Sequence, residues 1–145
     1  MYDEVLMPTD GSEGTVTALA HAREIAANHG ATLHVVHVVD RRVYLAAGKD
    51  EQDEVLAGLE DDGEAAIETV LDRLDGSGLD VVTELREGVP HRELLDYADE
   101  HDVDLITIGT HGRSGRDRLV NMGSVTEKVV DSCERPVLVV TLDDA

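Results

Sequence analysis

Apolar residues along this chain follow two alternating rhythms. Short runs rich in β-branched residues are separated by longer stretches whose apolar side chains return every three or four positions. Val5-Leu6-Met7, ended by Pro8, is the first run, and Leu33-His34-Val35-Val36-His37-Val38-Val39 is the second. A looser alternation over 79–86 predicts an edge strand. Val103-Asp104-Leu105-Ile106-Thr107-Ile108 and Val137-Leu138-Val139-Val140 complete the strands.

The intervening stretches predict helices. Over about 13–28, Val16, Leu19, Ala22, Ile25 and Ala26 share one face, and Gly30 stands where a C′ glycine belongs. Asp10 or Ser12 is the expected N-cap. Over about 51–74, the apolar face is Val55, Leu56, Leu59, Ala66, Ile67, Val70, Leu71 and Leu74, and acids fill the other side. A third helix starts at Gly88-Val89-Pro90, uses Leu94, Leu95 and Ala98, and ends near His101. The last begins at Ser124, where Ser124-x-x-Glu127 has the form of a capping box. It turns Val125, Val129 and Cys133 to one side and stops at Pro136. The segment 40–50 has no period and is expected to be a loop. With Arg41, Arg42 and Lys49 it is either a lid over an anion or a solvated linker.

The order β-α-β-α-β-α-β-α-β predicts an α/β fold: an open five-stranded parallel sheet, order 3-2-1-4-5, with helices on both faces, Rossmann-like. Strand order reverses between the first and fourth strands. Asp10 and Gly109 leave the sheet there, where open α/β sheets bind ligands.

Composition narrows the picture. A chain of 145 residues is expected to form a single domain, 1–145. Three Tyr and no Phe or Trp leave the core to Val, Leu, Ile and Ala. Thirty-two acidic residues against 12 basic ones give a net charge of −20, spread along the chain. Such a surface repels nucleic acid and anionic membranes, and suits a salty, halophilic cytoplasm that screens it. Cys133 is the single cysteine, so no internal disulfide forms, which fits a reducing compartment. No signal peptide opens the chain and no apolar run approaches a membrane span, so a cytoplasmic location is expected. His34 and His37 lie three apart on a strand and face opposite ways, so they cannot share a metal and are read as structural.

Candidate chemistry concentrates in Ile106-Thr107-Ile108-Gly109-Thr110-His111-Gly112-Arg113-Ser114-Gly115, followed by Gly123-Ser124-Val125. A buried strand delivers a glycine loop, and a helix start follows. Glycines admit an anion close to the backbone, and free N–H groups at the helix start favour negative charge. The loop is neither a Walker A loop nor Gly-x-Gly-x-x-Gly, and by itself it is a phosphate site or a plain turn. Three of ten arginines, Arg113, Arg116 and Arg118, fall here. They serve a bound phosphate, or they pair with surface acids.

Taken together, Met7-Pro8-Thr9-Asp10-Gly11-Ser12, His37-Val38-Val39-Asp40, Gly88-Val89-Pro90, Gly109-Thr110-His111-Gly112, Gly123-Ser124-Val125-Thr126-Glu127-Lys128 and Arg135-Pro136-Val137-Leu138-Val139-Val140 resemble the universal stress protein family, small single-domain kind. The resemblance covers nearly the whole chain. The family's ATP-binding members carry Gly-x2-Gly-x9-Gly-Ser/Thr. Here Gly109-x2-Gly112 matches, and ten residues, not nine, precede Gly123-Ser124. The resemblance implies ATP, with Mg2+ or Mn2+, in a site of Pro8, Thr9, Asp10, Val38, Ile108, Gly109, His111, Gly112, Arg113, Gly115, Gly123, Ser124 and Val125. It implies a stress-response or signalling role and a homodimer through strand 136–142. A regulatory homodimer without nucleotide and a slow ATPase are the alternatives. No catalytic residue is expected, because no nucleophile–base pair stands out.

Overall fold

The structure, a computed structural model, describes residues 1–110 and 124–141. In chain order it contains β1 (Glu4–Pro8), α1 (Glu13–His29), β2 (Thr32–Asp40), α2 (Arg41–Leu45), α3 (Gln52–Leu74), β3 (Asp80–Gly88), α4 (Pro90–Glu100), β4 (Leu105–Gly109), α5 (Ser124–Ser132) and β5 (Val137–Val140). The sheet order is β3-β2-β1-β4-β5, and every pairing is parallel. Both features match the expectation from sequence.

Strand alternation divides the core in two. Val5, Met7, Leu33 and Val35 pack against Ala18, Leu19 and Ala22 of α1 and Val70 and Leu74 of α3. Leu6, Val36, Ile106 and Ile108 face the other way, onto Leu94, Tyr97 and Ala98 of α4 and Val129 of α5. A sheet buried on both faces explains why its central strands read as continuous apolar runs.

Local chemistry departs from expectation at four places. The expected loop 40–50 contains a short helix, α2. Asp40 caps it, its Oδ1 accepting from the Arg42 N–H at 3.0 Å, and the Arg42 guanidinium grips the same carboxylate. That grip holds the Asp40 carboxyl below its usual range. At α1, Ser12 occupies the N-cap but its side chain makes no capping bond. Asp10 acts instead from two residues upstream, its Oδ1 accepting from the Ser12 N–H at 2.9 Å and the Thr15 hydroxyl at 2.9 Å. Leu71, assigned to the apolar face of α3, is 39% exposed. Tyr97, absent from the expected core, is wholly buried.

Burying Tyr97 requires a partner for its hydroxyl. His34 Nδ1 supplies one at 2.6 Å, and Glu4 Oε1 lies 3.4 Å from His34 Nε2. His101 stacks on the Tyr97 ring at 4.0 Å, and the Arg86 guanidinium covers it at 5.1 Å. Burial, then the charge of Glu84, pushes the Tyr97 hydroxyl up to about 12. Burial pushes His34 down from its usual value, against the pull of Glu4.

α3 turns a buried glycine, Gly63, toward the sheet residues His37 and Leu85. A Cβ there would lie 2.5 Å from His37 Cδ2 and 2.7 Å from Leu85 Cδ1. Gly58, on the same helix, has nothing within 4 Å of such an atom.

Two predictions follow from these contacts. Alanine gains about 1 kcal/mol over glycine in a helix, whereas overpacking costs about 1–3 kcal/mol. Gly58→Ala should therefore raise the unfolding midpoint by roughly 2–4 °C, and Gly63→Ala should lower it by a few degrees. A rise in both would show that His37 and Leu85 yield freely. The second concerns acid. His34 has a lower pKa folded than unfolded, so the unfolded chain takes the proton first. Its contribution to stability is complete above about pH 6.5 and is lost as pH falls below that. Chemical denaturation between pH 7 and 5 should show a shallower loss for His34→Asn than for the unchanged chain. Parallel slopes would mean that His34 binds no extra proton on unfolding.

Candidate functional site

The site begins with a break in hydrogen bonding. β1 pairs with β2 along its full length, Glu4↔Thr32 to Pro8↔Val36. With β4 it pairs only at Val5↔Leu105 and Leu6↔Ile106. Both strands then run on, to Pro8 and to Gly109, without joining. Pro8 suits this place. Thr9 donates its N–H to Val36 O at 2.9 Å, toward β2. Alternation along a strand therefore points the missing N–H of Pro8 toward β4, where the ladder has already ended.

The opened crevice is a cleft of about 160 Å3, where a single water needs roughly 10–15 Å3. It therefore accepts a molecule of many atoms. Its floor is the carboxyl ends of three strands: Pro8, Thr9 and Asp10; Val36, His37 and Val38; and Ile108, Gly109 and Thr110. Its walls are helix starts: Ser12 and Thr15, Pro90 and Leu94, and Val125 and Thr126.

Hydrogen bonds hold this floor in shape. His37 Nδ1–H donates to Thr9 O at 2.7 Å, so β2 fixes the turn after β1. The next residues are clipped by the Asp10 carboxylate, as described above. Gly11 follows at φ +80°, a left-handed conformation suited to glycine, and a Cβ there would meet Ala66 Cβ at 3.4 Å. On the opposite wall the Thr126 hydroxyl donates to Gly109 O at 3.1 Å, tying the first turn of α5 to the end of β4.

Of the residues expected from sequence, Pro8, Thr9, Asp10, Val38, Ile108, Gly109 and Val125 line this one cleft. Ser124 opens α5 at its side and is exposed. His111, Gly112, Arg113, Gly115 and Gly123 lie outside the described residues, as do Arg116 and Arg118. None of residues 41–50 is among the residues that line the cleft. Within that segment Arg42 is engaged with Asp40. Positive charge does gather nearby. Burial lowers the pKa of His91, at the start of α4, and the charges of Lys128, Arg92 and Arg42 lower it further.

Sequence reasoning missed His37, Pro90, Leu94, Thr110 and Thr126 as cleft residues. Strand parity puts Thr110 beside Ile108 and was available as a signal. Pro90 and Leu94 belong to a distant helix, and only the β3–α4 connection brings them in. Among the described residues no group of three or more His, Cys, Asp or Glu stands where it could hold a metal. No described helix is long and apolar enough to cross a membrane.

The family model for the universal stress protein family matches residues 1–141. The chain is 33% identical to universal stress protein MJ0531 of Methanocaldococcus jannaschii over 97% of its own length and 82% of that protein. The solved structure of MJ0577 from the same organism superposes with a TM-score of 0.87 at 30% identity, covering 100% of this chain and 99% of that one. A universal stress protein solved in complex with cAMP superposes with a TM-score of 0.72 at 27% identity, covering 98% and 99%. With the whole described fold matched at these identities, the chain belongs to the universal stress protein family.

Proposed function

We propose that this chain binds an adenine nucleotide, ATP with Mg2+ or Mn2+, in the cleft between β1 and β4, and acts as a stress-response or signalling protein. The observation that carries this reading is the cleft itself: a strand-end crevice at the reversal of sheet order, with an apolar slot at one side and a helix start at the other. The base lies between Pro8, Val38 and Leu94, and Asp10 meets the ribose side. The phosphates run past Ile108 and Gly109 toward α5, where Ser124 and Val125 open the helix. From sequence alone, His111, Gly112, Arg113, Gly115 and Gly123 are assigned to phosphate binding. The cAMP complex of a relative supports an adenine ligand. The divalent ion arrives on the phosphate oxygens. Binding, not turnover, is the proposed activity: His37 Nδ1 is held by Thr9 O, and the Asp10 carboxylate is bonded within its own turn.

A homodimer through β5 belongs to the same proposal. β5 pairs with β4 on one side, and its other edge ends the sheet. Val137 to Val140 is apolar throughout, and such an edge needs covering. The surface charge is read as an adaptation to high salt.

Thermal unfolding in molar KCl tests the nucleotide. Mg-ATP at ~100 times its dissociation constant adds about 2.7 kcal/mol, which should raise the midpoint by roughly 5–10 °C. Adenosine should do less, and Gly112→Val should abolish the ATP shift. No shift up to millimolar Mg-ATP would leave a regulatory dimer of the same fold. For assembly, light scattering at micromolar concentration should give twice the 15.7 kDa chain mass. A single chain's mass would remove the dimer.

A further inference from the structure

No residue of α3 lines the cleft, yet α3 supports the turn that leads into it at two places. The first contact is direct. Gly11 stands at φ +80°, and a Cβ on it would meet Ala66 Cβ at 3.4 Å, so the backbone there rests against α3. The second runs through His37. One edge of its ring faces α3, where a Cβ on Gly63 would stand 2.5 Å from Cδ2 and 3.1 Å from Nε2. From its other edge Nδ1–H donates to Thr9 O at 2.7 Å. Gly63 and Ala66 are three apart on a helix and share a face. With the imidazole as a spacer, that face carries the chain from Thr9 to Gly11.

We propose that His37 and the Gly63–Ala66 face of α3 are positioning residues for the nucleotide: they seat the turn from Thr9 to Ser12 and so hold Asp10 at the cleft. This rests on the nucleotide reading above and adds to it a helix that does not line the cleft. The Thr9 N–H continues the β1–β2 ladder by one bond, to Val36 O at 2.9 Å, and the Thr9 carbonyl is then taken by the His37 ring. Thr9 is 4% exposed, so that carbonyl needs a partner within the protein. Asp10 depends on the geometry that follows. Its N–H donates to Thr15 Oγ1 at 3.2 Å, and its carboxylate accepts from the Ser12 N–H and the Thr15 hydroxyl, each at 2.9 Å. Glycine inside a helix is unfavourable, and at Gly63 the imidazole requires the space. A methyl group there displaces the ring, and the 2.7 Å bond passes the displacement to Thr9.

The test is calorimetric titration with Mg-ATP and with adenosine, well below the unfolding midpoint. It is run on the unchanged chain, Gly63→Ala, His37→Leu, His37→Asn and Val70→Ala. Val70 is buried on the same helix, two turns along, and does not line the cleft, so it controls for loosening of α3. Amide exchange at Ser12 without ligand reads the turn itself. Gly63→Ala should weaken both ligands about threefold or more, and His37→Leu about tenfold, because Thr9 O loses its donor. ATP and adenosine should lose equally, since the turn faces base and ribose. His37→Asn keeps a donor and should recover part of the loss. Ser12 exchange should quicken in Gly63→Ala and His37→Leu. Val70→Ala should unfold at a lower temperature, yet bind both ligands and exchange at Ser12 like the unchanged chain. Undiminished affinity in both Gly63→Ala and His37→Leu overturns the inference. So does an equal loss in Val70→Ala, which would make the effect a general loosening of α3. If the unchanged chain binds neither ligand, the nucleotide reading fails. Ser12 exchange then decides the seat alone: quickened exchange keeps it, and unaltered exchange removes it as well.

Discussion

The early end of the β1–β4 ladder is the constraint on which the rest of this structure depends. Two parallel strands bond at Val5↔Leu105 and Leu6↔Ile106 and then separate. They can do so because the crossovers on either side lie on opposite faces of the sheet. α1 packs with β1, β2 and α3 on one face, and α4 and α5 pack on the other. Among the described residues, no helix therefore fills the gap from above. Two more strands, β2 and β5, continue the sheet outward and keep both walls rigid. The cleft is a consequence of topology before any functional side chain is considered.

Around that gap, the same few contacts that stabilise the fold also shape the floor. His37 is held under α3 at Gly63, and its ring bonds Thr9 O at 2.7 Å. Thr9 leads into Asp10, whose carboxylate starts α1. Packing of a helix 26 residues away in sequence from His37 is thus connected, through one imidazole, to the turn that presents Asp10. Opposite, Thr126 ties α5 to Gly109. The described backbone on both sides of the cleft is thus tied by side-chain hydrogen bonds.

The far end of the sheet carries a different kind of chemistry. Glu4, His34, Tyr97, His101 and Arg86 form a polar cluster against α4, and Arg86 also bonds Glu84 and Glu100. In a chain with almost no aromatic residues, this is where the largest fully buried side chain lies. Its hydroxyl and guanidinium are matched by partners from β1, β2, β3 and α4. A buried polar group is tolerable only when so satisfied. The cluster therefore fixes the register of α4 on the sheet, and α4 in turn sets Pro90 and Leu94 at the cleft.

By itself the sequence determined the strands, the long helices, the sheet order and about half of the residues that line the cleft. Val5-Leu6-Met7 and Leu33 to Val39 are continuous apolar runs because both sheet faces are covered, and period distinguishes them from α1 and α3. Pro8, Asp10, Ile108, Gly109 and Val125 were legible because each sits at a strand end or a helix start, which are local features. One departure is local: Asp40 and Arg42 bond each other and cap a helix where no period predicted one. What only the tertiary structure decided involves partners distant in sequence. Leu71 fell outside the buried stripe, which on α3 runs through Gly63, Ala66, Ile67, Val70 and Leu74. Tyr97 went inside because His34, 63 residues earlier, meets its hydroxyl. Thr110 joined the cleft with nothing among the described residues to bond its hydroxyl. Period and capping are written in neighbouring residues, whereas the satisfaction of a buried polar atom depends on which strands and helices the fold brings beside it.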